Sequence, residues 1–79
     1  MTNSPYTIRL APRIVRQLRK MTPAQCRTAF RLTEALAINP RPPGAVRVEG
    51  MTGLYSEEFE DLRLIYKIED QDVVLLFLR

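Results

Sequence analysis

The C-terminal third of the chain carries the strongest constraint on the fold. In residues 62–68, LRLIYKI, every second side chain is apolar, which is the period of a β-strand. After the polar segment 69–72, EDQD, residues 73–79 read VVLLFLR and are apolar on both faces. A strand of that kind either lies in the middle of a covered sheet or offers one face to a partner. The sequence therefore predicts a C-terminal hairpin with an unusually apolar last strand.

Upstream of this hairpin, the periodicity predicts one strand and two helices. Apolar residues alternate over residues 6–10, and beyond Pro12 they recur at i, i+4 and i+7, which is typical of a helix. The segment Thr22-Pro-Ala-Gln25 matches a capping box with proline at the first helical position. An amphipathic stripe then continues to Asn39-Pro40, where the residue before proline resists the α conformation. Cys26 lies on that stripe and is interpreted as a small core residue.

The remaining segments read as β-strands. Val46 and Val48 alternate with Arg47 and Glu49, and we predict strands at 54–59, 62–68 and 73–79, with hairpin turns near residues 60–61 and 69–72. The predicted class is α+β, in the order β-α-α-β-β-β. An N-terminal strand and a helical hairpin precede a three-stranded antiparallel meander, and the helices pack on one face of the sheet. Residues 1–79 are expected to form a single domain.

Composition excludes several kinds of site. The 79 residues include no histidine and a single cysteine, so neither a Cys/His metal site nor an internal disulfide is possible. No cofactor is predicted. No apolar run approaches the roughly 18 residues of a membrane span, and residues 1–10 lack the pattern of a signal peptide. The expected location is the cytoplasm.

Charge is divided unevenly along the chain. Residues 1–47 hold nine cations and one acid, a net charge of +8, whereas residues 48–79 hold three cations and eight acids, a net charge of −5. A strongly basic half suits a polyanion such as RNA. An ordinary solvated helical surface accounts equally well for composition alone.

Strand alternation places several cations on one face of the predicted sheet. Leu62, Leu64, Tyr66 and Ile68 should face the helices, which leaves Arg63 and Lys67 on the opposite face. By the same reasoning, Arg47 is expected beside them, and Arg79 joins them if Phe77 faces away from the helices. Guanidinium groups in that position suit phosphate, although charged side chains are also the rule on the exposed side of a sheet.

Several segments together resemble the RelE/ParE superfamily of bacterial toxin–antitoxin toxins, closer to the RelE branch. YTIRLAPRIVRQLRKM is similar to the family's opening strand and helix, ALAINPRPPG to its Asn-Pro turn, and GMTGLY with DLRLIYKIEDQDVVLLFLR to its final strands. The resemblance covers residues 6–79. It implies a ribosome-dependent endoribonuclease in which the ribose 2′-OH attacks the adjacent phosphate and basic side chains replace histidine.

The resemblance also implies the site residues and partners. Arg63 falls on a catalytic arginine of RelE-like enzymes, and Arg79 lies near the position of a second one. The residues expected to contact RNA are Arg47, Lys67, Arg13, Arg16, Lys20, Arg27 and Arg31. The ribosome, mRNA and an antitoxin that covers the exposed sheet face are the expected partners, with no metal and no membrane.

Two departures from the family pattern leave an alternative open. Ser56 and Glu58 stand where relatives often carry basic residues, and the sequence ends at Arg79, before the family's usual C-terminal tail. A carboxylate at position 58 would repel RNA phosphate. If Glu58 pairs with Arg63, it would hold the arginine in place but weaken its attraction for RNA. The alternative is a non-catalytic or ParE-like toxin that acts by binding a protein target and its antitoxin.

Overall fold

The computed structural model describes residues 6–79, which form five strands and two helices. The elements are β1 (Thr7–Leu10), α1 (Pro12–Arg19), α2 (Pro23–Ile38), β2 (Val46–Arg47), β3 (Leu54–Phe59), β4 (Leu62–Glu69) and β5 (Asp72–Leu78). The predicted α+β class and the order of the helices and long strands are confirmed. The difference is β2, which pairs over two residues only and adds a short edge strand to the meander.

Helix α2 begins as its sequence predicts. The hydroxyl of Thr22 accepts a hydrogen bond from the backbone N–H of Gln25 at 3.2 Å, and the Gln25 side chain accepts one from the Thr22 N–H at 3.0 Å. This capping box satisfies two of the backbone donors that every helix leaves free at its start. The helix ends at Ile38, with Asn39 in an extended conformation before Pro40.

The five strands form one mixed sheet in the order β1-β5-β4-β3-β2. Strand β1 runs parallel to β5, and the other pairs are antiparallel. The doubly apolar strand β5 is therefore central in the sheet, but among residues 6–79 helices cover only one of its faces, so the predicted coverage of both faces is not observed. A bulge next to Ile65 and Tyr66 leaves Leu76 as the extra residue of β5.

Both helices pack on one face of the sheet, as predicted. Ile14 of α1 and Leu36 of α2 meet Tyr66 and Val73, and all four are almost fully buried. Leu62 and Leu64 are buried on the same side. The opposite side of the sheet, called here the outer face, carries no helix in the described part of the chain.

The acidic residues between strands occupy tight turns. Phe59 pairs with Leu62, so Glu60 and Asp61 alone connect β3 to β4, and Glu60 has a φ of 57°. Asp70 likewise has a φ of 52° in the turn between Glu69 and Asp72. Short acidic side chains tolerate this left-handed backbone better than β-branched ones, although glutamate is a less usual choice.

Among residues 6–79, no helix is long and apolar enough to cross a membrane.

Candidate active site on the outer face of the sheet

Arg63 and Arg79 lie directly opposite each other at the end of β4 and β5. The Arg79 N–H donates to the Arg63 carbonyl at 2.8 Å, and the Arg63 N–H donates to the Arg79 carbonyl at 3.2 Å. Side chains of such a pair project from the same face of a sheet. Because the adjacent pair Leu64 and Leu78 is buried against the helices, the two arginines project from the outer face. The structure thus brings the two predicted catalytic residues together.

The two arginines line an open depression of about 340 Å³ together with three acids, Glu58, Glu60 and Asp61. Glu58 is in register with Arg63 across β3 and β4. Its Oε2 lies 2.5 Å from Nη2 of Arg63, which confirms the pairing that the sequence left as a possibility. The side chains are 68% and 46% exposed, and exposed ion pairs stabilise a fold by only about 0–1 kcal/mol. A phosphate can therefore compete for Arg63 at modest cost.

Arg63 retains donors for such a ligand. Glu58 uses Nη2 only, and among residues 6–79 the Nε and Nη1 atoms of Arg63 make no hydrogen bond to protein. The Arg79 side chain makes none either within the described part of the chain. Two guanidinium groups with free donors on one face suit a phosphodiester, because each fork matches two phosphate oxygens.

Lys67 also projects from the outer face, in register with Leu54 and Val74. Its ammonium lies 2.7 Å from the carboxylate of Glu69, two residues further along the strand. The hydrogen bond from Lys67 lowers the pKa of Glu69. Lys67 therefore reaches the predicted face, but its charge is already compensated there.

Arg13 reaches the outer face from helix α1. Its guanidinium carbon lies 4.4 Å from the centroid of the Phe77 ring, and Phe77 is in register with Ile65 on the outer face. A cation over an aromatic ring is held by electrostatic attraction. Arg13 thus connects to the sheet a row of cations that includes the exposed residues Arg16, on α1, and Lys20, which caps the end of α1. These residues are called here the α1 cations.

The predicted position of Arg47 is wrong. Arg47 pairs with Tyr55, whose ring stacks on Tyr66 at 5.7 Å. Tyr66 is buried on the helix side, so Arg47 projects from that side and away from Arg63. The alternation of Val46 and Val48 misled the prediction because β2 is an edge strand, where Val46 is itself exposed. Alternation of polar and apolar residues identifies the buried face of a strand only where a hydrophobic core covers one side of the sheet.

The two predicted RNA-binding residues of α2 lie elsewhere. Arg27 and Arg31 are exposed and line a shallow depression with Cys26, Glu34 and the exposed Phe30. The nine predicted site residues therefore divide between the outer face with its α1 extension, the helix-facing edge at Arg47, and α2.

Two supporting contacts were missed from the sequence. Gln17 of α1 clamps the backbone of Leu78: its amide nitrogen donates to the Leu78 carbonyl at 2.7 Å, and its amide oxygen accepts from the Leu78 N–H at 2.8 Å. This double hydrogen bond holds the end of β5 next to Arg79. The only sign of this double hydrogen bond in the sequence is one polar residue, Gln17, next to the apolar face of a predicted helix.

The second contact anchors the loop after α2 to the sheet. The buried Tyr66 hydroxyl donates to the carbonyl of Pro40 at 2.7 Å, and burial raises the pKa of Tyr66, so the hydroxyl stays protonated. Arg41 donates to the Tyr55 hydroxyl at 3.2 Å, and that hydrogen bond raises the pKa of Arg41. The two tyrosines thus support the helix side of the sheet and are remote from the outer-face depression.

Comparison with known proteins establishes the fold. A chain of the archaeal RelE–RelB complex from Pyrococcus horikoshii OT3 superposes with a TM-score of 0.83 at 23% identity, covering 95% of this chain and 93% of that one. The chain has the RelE fold. At the level of the fold, the three-dimensional structure agrees with the resemblance seen in the sequence.

Two further RelE-fold structures match over similar lengths. The toxin–antitoxin complex RelBE2 from Mycobacterium tuberculosis matches with a TM-score of 0.82 at 26% identity, covering 94% of this chain and 95% of that one. The intact E. coli RelBE toxin–antitoxin complex matches with a TM-score of 0.81 at 18% identity, covering 92% and 93%. No protein-family model and no curated protein matches the sequence.

Proposed function

We propose that this chain is the toxin of a type II toxin–antitoxin system and cleaves mRNA on the ribosome in the cytoplasm. The observation that carries the proposal is the pairing of Arg63 with Arg79 on the outer face of a RelE fold. In this function the two guanidinium groups bind the scissile phosphate. They also stabilise the negative charge that develops on its oxygens when the 2′-oxygen attacks.

The same face is the proposed contact for an antitoxin. The structural neighbours include RelE–RelB and RelBE complexes. The outer face combines cations with the apolar side chains of Ile65 and Phe77. An antitoxin segment that carries acids and apolar residues would complement both and would displace RNA from Arg63.

One observation favours the alternative of a toxin that binds a protein target without cleaving RNA. The depression holds three carboxylates and two guanidinium groups, so these side chains together are net negative and weaken the attraction of RNA. The alternative predicts growth inhibition with intact mRNA.

The test is the substitution Arg63→Ala. Expression of the parent chain should inhibit bacterial growth, and purified protein should cleave mRNA on programmed ribosomes. The substitution should lower the cleavage rate by about 10²–10³-fold, the usual effect of removing one donor from a developing oxyanion.

The matched control is Arg9→Ala, which removes another exposed arginine with a carboxylate partner, Asp72 at 3.3 Å. Arg9 lies on β1, away from the depression, and its loss should leave cleavage unchanged. An Arg63 variant that cleaves as fast as the parent would exclude this role. Parent protein that inhibits growth but leaves mRNA intact would support the alternative.

A further inference from the structure

The proposed cleavage needs a group that accepts the proton of the ribose 2′-OH. The chain has no histidine, and arginine guanidinium groups remain protonated at any physiological pH. The titratable side chains that line the depression are those of Glu58, Glu60, Asp61, Arg63 and Arg79. Carboxylates are the members of this set that can accept a proton at neutral pH.

Geometry distinguishes Glu58 from the other two acids. Glu58 lies on strand β3, in register with Arg63, and its carboxylate contacts the guanidinium that would hold the phosphate. Glu60 and Asp61 form the turn beyond the strands and make no ion pair with either arginine within residues 6–79. A 2′-oxygen is bonded to the carbon next to the one that carries the 3′-phosphate, so a phosphate on Arg63 places it near Glu58.

We propose that Glu58 is the general base of this reaction; the inference rests on the proposed function. The incoming phosphate binds the Arg79 guanidinium and a donor of Arg63 that Glu58 leaves free, and Glu58 remains beside it. The Glu58 carboxylate takes the proton as the 2′-oxygen forms its bond to phosphorus. The bond from phosphorus to the 5′-oxygen breaks, a 2′,3′-cyclic phosphate forms, and the leaving 5′-oxygen takes a proton from water. Glu58 then returns its proton to the resulting hydroxide.

This role reverses the interpretation of Glu58 as merely unfavourable. The carboxylate does weaken RNA binding, because it is a negative charge beside a phosphate. It also supplies a proton acceptor, which the surrounding protonated arginines cannot provide. Removing the charge of Glu58 should therefore strengthen RNA binding and slow the cleavage step. If Glu58 only repelled RNA, its removal would strengthen binding without slowing cleavage.

The experiment is Glu58→Gln in single-turnover cleavage of mRNA on programmed ribosomes. The side chain is exposed and the glutamine has the same shape, so the variant should fold. We expect the maximal rate to fall by about 10²–10⁴-fold, the usual contribution of a general base, while the apparent affinity rises. The charged groups that face Glu58, namely Arg63, Arg79, Glu60 and Asp61, are unchanged in both proteins.

Glu49→Gln is the matched control, because it removes the same charge from an exposed glutamate in the loop after β2, outside the depression. It should leave the maximal rate and the apparent affinity unaltered. A Glu58→Gln variant whose maximal rate equals or exceeds that of the parent overturns the inference while the proposed function stands. Parent protein that leaves mRNA intact in this assay overturns both.

Discussion

Glu57 and Glu58 are neighbours in sequence and occupy opposite environments. Glu58 projects from the outer face and contacts Arg63. Glu57 is in register with the buried residue Leu64 and points towards the helix side. Its Oε1 is fully covered and has no hydrogen-bond partner among residues 6–79. A Cβ atom at Gly44 would lie 3.2 Å from its other oxygen, so the loop after α2 packs directly on this carboxylate.

Removing the charge of Glu57 should stabilise the protein at neutral pH. Burial raises the pKa of Glu57, so the folded state holds the proton more tightly than the unfolded chain. Below the unfolded-chain pKa, Glu57 therefore lowers the stability of the fold by nothing. Above it, the loss of stability increases with pH and is complete once the pH exceeds the folded-state pKa. We expect Glu57→Gln to unfold at higher urea concentration than the parent at about pH 7, with the difference vanishing at about pH 4.

The control for this prediction is Glu49→Gln, which removes an exposed carboxylate in the loop after β2. It corrects for the change in net charge of the whole protein. A Glu57→Gln variant with the same urea midpoint as the parent at neutral pH would show that the folded state does not disfavour this charge.

At the scale of the elements, the end of β5 depends on helix α1. Strand β1 pairs with β5 only as far as Leu75, so the backbone groups of Leu78 on that edge need another partner. The side chain of Gln17 supplies it with two hydrogen bonds. The side-chain amide of Gln17 carries both a donor and an acceptor, so it pairs with the backbone N–H and C=O of Leu78 much as a neighbouring strand would.

We expect Gln17→Ala to lower the free energy of unfolding by about 1–3 kcal/mol, the cost of leaving part-buried backbone groups without partners. Urea denaturation measures the loss, and the Leu78 amide should exchange its hydrogen faster. Gln71→Ala, in the exposed turn between β4 and β5, is the control and should change neither quantity. Unaltered exchange at Leu78 in the Gln17 variant would contradict the clamp.

At the scale of the whole molecule, the basic half divides into two surfaces. The α1 cations continue onto the outer face through Arg13. The α2 cations Arg27 and Arg31 surround Phe30, which is 64% exposed. An RNA held at Arg63 that extends past Phe77 would meet α1 rather than α2.

The α1 cations should therefore contribute more to ribosome binding than the α2 cations. The double substitution Arg16→Gln/Lys20→Gln should weaken ribosome binding. It should also reduce the slope of log affinity against log salt concentration by up to about two units. The double substitution Arg27→Gln/Arg31→Gln removes the same charge and should have a smaller effect. Binding measured over a range of salt concentrations separates them, and equal losses would indicate attraction by net charge alone.

Much of the fold could be predicted because local patterns and tertiary packing agree in this chain. The capping box at Thr22 and Gln25 and the alternation from Leu62 to Ile68 each specify an element whose buried side the core then covers. The pattern failed at Arg47, where only two residues pair at the edge of the sheet. Gln17 was missed because its partner, the Leu78 backbone, lies 61 residues away.

The sequence by itself determined the types of the helices and long strands, the apolar character of β5 and the presence of an arginine on the exposed side of β4. Those features depend on periods of two or 3.6 residues and on the residues that begin and end helices. The tertiary structure alone decided the register that places Arg79 opposite Arg63 and Glu58 against it. Register depends on pairing between distant strands and on one bulge, and a shift by a single residue would turn these charges towards the core.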